Sequence, residues 1–276
     1  MNSLLFGTAG IPHSTNPRNM LNGIKTVRDL GLDAMEVEFV RSVHISEEKA
    51  PGIKEQAKKH NIKLTSHGQY YVNLNSQDQA KMDASVKRIL EASRIAEQSG
   101  VWSICYHMAY YMKQDPAKVY EKVREQVQNI IKVYKDEGIK LWLRPETGGK
   151  LTQWGNLREI IKLSQDCEQV LPTIDWAHHH ARSNGQFNTP EEFRMILTEL
   201  EKGLGRHVLD NMHMHIEGIA YSEKGERNHL NLEDSDFNYK DLMKVFKEFN
   251  IKGMAICESP NIEEDARLLQ QTFNRL

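Results

Sequence analysis

Short apolar segments alternate with longer helix-like segments along the whole chain, and this alternation limits the folds that the chain can adopt. Strands that alternate with helices favour a parallel sheet over a sandwich of antiparallel sheets. The predicted strands are SLLFGTAG, AMEVEFV, IKLTSHG, VWSICYHM, IKLWLRPE, VLPTIDWA, NMHMHIEG and GMAICES. The predicted helices span approximately residues 17–30, 47–60, 77–98, 116–137, 156–167, 189–202, 239–249 and 262–275.

Eight strand–helix units predict an α/β fold in which eight parallel strands close into a (β/α)8 TIM barrel. Barrels of this kind commonly use about 250 residues, and this chain has 276. No linker, low-complexity run or short internal repeat divides the sequence, so we expect a single domain over residues 1–276. An open, doubly wound sheet is the alternative that the same alternation allows.

Composition and charge set weaker limits on partners and location. The formal net charge of −2 gives no support for a nucleic-acid partner and does not exclude one, because bound cations and local Lys and Arg residues escape that count. No apolar run of about 18 residues indicates a membrane span. Cys105, Cys167 and Cys257 show no pairing pattern, so we expect free thiols and a reducing cytoplasm. A monomer is a separate expectation.

Six residues that can bind metal ions end six successive predicted strands. In a barrel, the carboxyl ends of the strands meet at one rim, where active sites lie. Histidine nitrogen and carboxylate oxygen are ligands that zinc favours. The pattern therefore predicts a polynuclear metal site, although any one of these residues alone could be a hydrogen-bonded loop residue or a helix cap. The six are His67, His107, Glu146, Asp175, His215 and Glu258.

The six residues divide into two groups along the chain. His67, His107 and Glu146 belong to three consecutive strands, and the other three residues belong to the next three. Glu146 stands between the groups and is the natural bridge between two ions. Two ions that share a carboxylate lie about 3.5–4 Å apart and can activate water for attack.

Other histidines lie close to these strand ends. His178, three residues after Asp175, could serve a further ion. His179 and His180 are expected to be exposed to solvent. His213 lies two residues before His215 and shares its strand face, so we expect it one layer deeper, packed and hydrogen-bonded.

Several motifs along nearly the whole chain resemble those of endonuclease IV, the zinc-dependent apurinic/apyrimidinic endonuclease among the xylose isomerase-like barrels. The segment from His67 to Leu74, HGQYYVNL, is similar to that family's His-x-x-Tyr-x-x-Asn-Leu motif. Residues 174–178, IDWAH, are similar to its Ile-Asp-Thr-Cys-His, and residues 214–216, MHI, to its Met-His-Leu. His107, Glu146 and Glu258 fall where the family has further ligands.

The resemblance implies a DNA-repair activity on damaged double-stranded DNA. It implies hydrolysis of the phosphodiester 5′ to an abasic site, which leaves a 3′-hydroxyl, through a hydroxide held between metal ions. It places Glu146 and Glu258 in the catalytic centre with two or three Zn2+ ions, and Mn2+ is a possible substitute. Tyr70 and Tyr71 would fill the gap left by an extruded nucleotide or stack on bases, unless they pack under their loop. Arg41 is a candidate DNA contact.

This sequence departs from the family at the third metal position. Trp176-Ala177 replaces Thr-Cys, and Glu217-Gly218 replaces Asn-Asp after the histidine of the seventh strand. Residues 226–229, ERNH, stand where the family has Asp-Arg-His. We therefore expect a weaker third site formed by His178, Glu226 and possibly His229.

The sequence is also compatible with two other functions. A sugar isomerase or epimerase of the same superfamily would use Glu146, Asp175, His215 and Glu258 around one Mn2+ or Mg2+ ion and move a proton next to a carbonyl. His67, His107 and the segment from Tyr70 to Asn73 favour the nuclease. A binding protein that retains the barrel without efficient chemistry is the third hypothesis.

Overall fold

Eight parallel strands form the central sheet of the computed structural model, which describes residues 1–276. Two further strands form a separate antiparallel hairpin. The strands are β1 Leu4–Ala9, β2 Ala34–Glu38, β3 Lys63–His67, β4 Ser103–Tyr106, β5 Trp142–Pro145, β6 Thr173–Asp175, β7 Met212–Ile216, β8 Gly218–Ser222, β9 Gly225–Leu230 and β10 Gly253–Cys257.

The central sheet curves into a barrel. Its strand order is β5-β4-β3-β2-β1-β10-β7-β6. Isolated parallel bridges join Leu143 to Val170 and Glu146 to Thr173, and these bridges connect the two edge strands. The prediction of an eight-stranded parallel TIM barrel is therefore confirmed, and the open-sheet alternative is wrong.

Helices follow the barrel strands and cover them. A core of 66 buried residues lies mainly between the sheet and these helices. None of the helices combines the length and the apolar character needed to cross a membrane. The helices are α1 Met20–Asp29, α2 Ala50–Lys59, α3 Gln79–Gln98, α4 Pro116–Glu137, α5 Leu157–Asp166, α6 Trp176–Arg182, α7 Pro190–Leu204, α8 Arg206–Leu209, α9 Tyr239–Glu248 and α10 Glu263–Asn274.

Helix α6 was not predicted, and it begins without any loop after β6. The carboxylate of Asp175 accepts a hydrogen bond from the backbone N–H of His178 at 2.7 Å and so caps the first turn of the helix. The side chain that ends the strand therefore also starts the helix. This fixes His178 one turn from Asp175 at the rim of the barrel.

The hairpin of β8 and β9 was not predicted either, and it contains a bulge. Tyr221 pairs with Glu226 and Ala220 pairs with Asn228, so Arg227 is an extra residue in β9. Side chains normally alternate between the two faces of a strand, but an extra residue shifts that alternation by one. Glu226 and His229, three positions apart, are consequently brought to the same face.

Candidate metal centre

Glu146 lies at the centre of the rim, with its side chain buried between two sets of histidines. Its Oε2 atom lies 3.1 Å from Nε2 of His67 and 3.6 Å from Nε2 of His107. Its Oε1 atom lies 3.1 Å from Nδ1 of His215 and 3.6 Å from Nδ1 of His178. Each oxygen therefore faces a different set, which is the arrangement of a carboxylate that can bridge two ions.

The second predicted group also converges on Glu146. Ligand atoms of Glu146, Asp175, His215 and Glu258 all lie within 4.8 Å of one another. Nδ1 of His215 lies 3.6 Å from Oε1 of Glu258. The structure thus brings together all six residues that the strand ends predicted, from β3, β6 and β7 and from just beyond β4, β5 and β10.

The separations between these atoms fit a shell of metal ligands. Zinc binds nitrogen and oxygen at about 2.0–2.2 Å, so neighbouring ligand atoms of a tetrahedral site are about 3.3–3.6 Å apart. Oε2 of Glu146, Oδ2 of Asp175 and Nε2 of His178 are buried and have no aligned hydrogen-bond partner. Leaving such groups unsatisfied is costly, and divalent cations would satisfy them. The residues present therefore fit metal ions.

Charge in the metal-free centre is balanced by protons on histidine. Burial opposes the charged form of His67, but the carboxylate of Glu146 outweighs burial and raises the pKa of His67 to about 10. Burial likewise opposes the charged form of His178, and Asp175 raises its pKa to about 10. Burial lowers the pKa of His107 to about 4. Without metal, protons on His67 and His178 therefore supply positive charge beside the carboxylates. Bound metal ions would take the place of these protons.

A deeper layer of polar residues lies below the rim, and sequence analysis found only part of it. Glu36 of β2 accepts a hydrogen bond from Nε2 of His213 at 2.8 Å, and its other oxygen lies 2.9 Å from Nε2 of His215. Nδ1 of His213 lies 3.0 Å from the hydroxyl of Ser103. His213 is thus packed and hydrogen-bonded, as its strand position predicts. Glu36 holds His215 with its Nδ1 atom towards Glu146.

Three buried or nearly buried carboxylates were missed. Glu36 and Glu38 stand two positions apart in the strand AMEVE, and Glu217 directly follows β7. Acidic residues at period two inside an otherwise apolar strand point into the barrel, and that signal was available for Glu36 and Glu38. Both oxygens of Glu217 are buried without a hydrogen-bond partner.

The candidate third site also assembles, with a changed set of residues. Nε2 of His178 lies 3.6 Å from Oε2 of Glu226, and the rings of His178 and His229 are 5.7 Å apart. Nε2 of His229 lies 4.0 Å from Oε1 of Glu217. Asn228 is exposed. The bulge at Arg227 is therefore the reason that His229, rather than Asn228, reaches this cluster.

The prediction that His179 and His180 are exposed is wrong, since both are buried. Because α6 begins directly at the strand end, its residues pack between the barrel and the hairpin. The ring of His180 lies 4.9 Å from that of Tyr221, and its nitrogens contact the carbonyl of Gln186 at 2.9 Å and Asp236 at 3.2 Å.

The three candidate DNA contacts lie outside the metal cluster, on the surface. Tyr70 is 58% exposed and Tyr71 is 66% exposed, so the alternative that both pack under their loop is wrong. The ring of Tyr70 lies 5.7 Å from the ring of His67, edge to face. Arg41 is exposed and lines a cavity of about 600 Å³ together with Gln69 and Arg88.

Comparison with known proteins identifies a family and similar proteins in other organisms. The sequence model of the xylose isomerase-like TIM barrel family matches residues 24–276. An uncharacterised protein of Methanocaldococcus jannaschii is 37% identical over 273 residues, which cover 99% of this chain and 98% of that protein. Apurinic-apyrimidinic endonuclease 1 of Plasmodium falciparum is 23% identical over 248 residues, which cover 85% of this chain and 40% of that protein.

Solved structures of an endonuclease and of an epimerase-like protein share the fold. Endonuclease IV from Thermus thermophilus superimposes with a TM-score of 0.76 at 18% identity, over 98% of each chain. A D-tagatose 3-epimerase-like protein superimposes with a TM-score of 0.74 at 16% identity, over 98% of this chain and 96% of that one. The two scores are nearly equal, so the fold alone does not separate a nuclease from an epimerase.

Proposed function

This chain belongs to the xylose isomerase-like TIM barrel family as a divergent member, and on that premise we propose that it is a zinc-dependent endonuclease. Its substrate is damaged double-stranded DNA, which it cuts on the 5′ side of abasic sites. The similarity to apurinic-apyrimidinic endonucleases supports this activity. Two Zn2+ ions share Glu146, a third binds more weakly beside them, and Mn2+ can replace Zn2+.

The division of Glu146 between two sets of histidines is the observation that carries this proposal. A single-ion sugar enzyme needs only Glu146, Asp175, His215 and Glu258. The pair His67 and His107 lies on the other oxygen of Glu146 and supplies no ligand to that single ion. A second ion beside that pair gives the two residues a role, and paired ions suit hydrolysis of a phosphodiester.

The side chains of the metal centre have separate roles in this reaction. Divalent ions would lower the pKa of water and neutralise charge that develops on the phosphate. Glu146 fixes the spacing of the two positions, and Asp175, His215 and Glu258 complete the second. Glu36 holds the ring of His215, so that Nδ1 faces the centre. The deep burial of these groups leaves little freedom to reorganise.

Residues beyond the centre would engage the DNA. Tyr70 and Tyr71 present exposed rings on the loop that follows β3, next to the histidine that ends that strand. Exposed aromatic rings can stack on bases or occupy the space of an extruded nucleotide. Arg41 and Arg88 line the neighbouring cavity and would contact backbone phosphates.

Incision of a duplex that carries one abasic analogue tests the proposal. Metal-depleted protein is reloaded with Zn2+ or Mn2+, and the products are sized on a denaturing gel. We expect a single cut 5′ to the lesion that ends in a 3′-hydroxyl and disappears on chelation. An undamaged duplex and the exposed-site variant Asn228→Ala serve as controls. Binding of the abasic duplex by metal-loaded protein without any cut would contradict the proposal and favour a binding protein.

A sugar isomerase or epimerase is the second candidate, and one observation favours it. Glu146, Asp175, His215 and Glu258 form by themselves a compact set for one ion. The variant His67→Ala/His107→Ala separates the two functions, because it removes ligands that only the two-ion enzyme needs. Loss of incision in this variant supports the nuclease. Exchange of solvent deuterium into a ketose, retained in the variant, would support the sugar enzyme.

A further inference from the structure

Glu217 is a fully buried carboxylate that accepts no hydrogen bond within the protein. Its exposure is 0%, and neither Oε1 nor Oε2 has a hydrogen-bond partner. It is the single residue between β7 and β8. Buried carboxylates are ordinarily paired with a cation or satisfied by hydrogen bonds, so this position calls for a positive partner.

The neighbours of Glu217 are themselves free ligand atoms. Ligand atoms of His178, Glu217 and His229 all lie within 4.8 Å of one another. Nδ1 of His178 lies 3.0 Å from the carbonyl oxygen of Thr147, so this nitrogen carries the proton in the neutral ring. Nε2 of His178 then keeps its lone pair, and it is buried without a partner. A metal-binding histidine is typically oriented in this way, by a hydrogen bond from its other nitrogen.

We propose that Glu217, together with His178 and His229, forms the third cation site of this chain, and that Glu217 supplies its principal carboxylate. Oε2 of Glu226, on a side chain that is partly exposed, lies 3.6 Å from the same nitrogen of His178 and offers a second carboxylate. Two imidazoles with carboxylate oxygens are a donor set that suits Zn2+. The inference deepens the proposed function, since the third ion would lie beside the two that share Glu146.

A different arrangement could also satisfy Glu217 without a metal ion. Oδ2 of Asp175 is likewise buried without an aligned hydrogen bond, 3.0 Å from Nδ1 of His178, and Glu217 and Asp175 could share one proton. In that arrangement Glu217 is a neutral acid. The two accounts predict opposite results for Glu217→Gln, because glutamine copies the shape and hydrogen bonds of a neutral acid but not the charge of a metal ligand.

The experiment compares zinc positions and zinc content in the wild type, Glu217→Gln, Glu217→Asp and Asn228→Ala. Each protein is loaded with Zn2+, dialysed stepwise against a chelator and measured by elemental analysis and anomalous scattering. In the wild type we expect a peak among Glu217, His178 and His229. Glu217→Gln should weaken zinc binding there by more than about 10-fold, since loss of a supporting group alone has that effect. The ions at Glu146 should remain in place.

The two other variants sharpen the result. Glu217→Asp keeps the charge and should retain part of the third-site binding, and Asn228→Ala should match the wild type. An unchanged third peak in Glu217→Gln, or no peak beside Glu217 in the wild type, would overturn the inference; the wild-type map needs no variant to fold. Metal content is read without DNA, so a protein with this third ion and no incision would contradict only the proposed function.

Discussion

The deeper polar layer of Glu36, His213 and Ser103 forms the floor of the metal centre. Like the rim, the floor contains carboxylate and histidine side chains, but its geometry differs. On the floor, the side chains of Glu36, His213 and Ser103 approach one another at 2.8–3.0 Å, which are hydrogen-bond distances. At the rim, histidine nitrogens lie 3.1–3.6 Å from the oxygens of Glu146, and Oε2 of Glu146 has no aligned partner. The floor is held by its own hydrogen bonds, although Oε1 of Glu36 faces His215 without an aligned one. The rim leaves Oε2 of Glu146, Oδ2 of Asp175 and Nε2 of His178 unsatisfied and open to cations.

His215 belongs to both layers and connects them. Its Nε2 atom lies 2.9 Å from Glu36 of the floor, and its Nδ1 atom lies 3.1 Å from Glu146 of the rim. The contact of Nε2 with Glu36 orients the ring and directs Nδ1 towards Glu146, in the way that a supporting carboxylate orients a metal-binding histidine. The floor is therefore the support on which the rim is positioned, and each layer should respond differently to the same perturbation.

The largest expected difference is in the response to pH. The pKa of His67 is raised to about 10 by Glu146 against the effect of burial, and that of His215 is raised well above its ordinary value by Glu258 and Glu36, also against burial. Both are protonated near neutral pH without metal, so each of the two positions that share Glu146 must release one proton when it binds an ion. Zinc affinity at each of these positions should fall about tenfold per pH unit as pH falls from 8 to 6, because each ion displaces one proton.

Titration calorimetry in buffers of different ionisation enthalpy counts these protons. His213 supplies the contrast, because burial lowers its pKa to about 4 and it is already neutral in this range. His213→Gln should therefore leave the number of released protons unchanged. Zinc binding without proton release would contradict the contrast between the layers.

Removal of Glu36 should strongly destabilise the floor. Glu36→Ala leaves His213 and His215 without their buried partner, and breaking a buried charged pair typically costs about 3–5 kcal/mol. We expect the free energy of unfolding, measured in urea, to fall by that amount in the metal-free protein. Glu226→Ala on the hairpin should change it by less than about 0.5 kcal/mol. Equal small effects of the two variants would mean that the floor does not support the fold.

Neutralisation of Glu146 should affect the rim and its chemistry. Glu146→Gln removes the shared ligand, so both ions should be lost together and incision should fall by more than about 100-fold, beyond the range for supporting groups. Elemental analysis and the abasic-duplex assay measure the two effects on the same samples. Normal metal content with normal incision would show that Glu146 does not bridge.

The exposed tyrosines should have the smallest effect, because their loss should weaken DNA binding and leave both layers unchanged. Tyr70→Ala/Tyr71→Ala should weaken binding of abasic duplex by about 1–3 kcal/mol for each lost stacking contact. Zinc content and stability should not change, because both rings are more than half exposed. Fluorescence anisotropy measures the binding, and unaltered DNA affinity would remove the tyrosines from the DNA interface.

The sequence predicted the rim better than the floor, for a physical reason. Parallel strands bring their carboxyl ends together, so residues such as His67 and Glu258 could be placed at one rim from their strand positions alone. Glu36 was missed although its spacing of two from Glu38 indicates a side chain that points into the barrel. Glu217 was missed because a single carboxylate beside an apolar strand carries no such pattern, and the side chains that it faces lie far away in the sequence.

The hairpin and α6 show a second limit of sequence patterns. The bulge at Arg227 decides whether His229 or Asn228 faces the cluster, and a one-residue change of register leaves no mark in the pattern of apolar residues. His180 is buried because α6 begins directly after Asp175, whose side chain caps the first turn of the helix.

Anomalous scattering at the zinc edge from crystals of metal-loaded wild-type protein tests the central claim most directly, namely that Glu146 joins two metal positions. We predict two strong peaks on opposite oxygens of Glu146, one beside His67 and His107 and one among Asp175, His215 and Glu258. A single peak among Asp175, His215 and Glu258, with His67 and His107 bare, would contradict the account and favour a one-ion sugar enzyme.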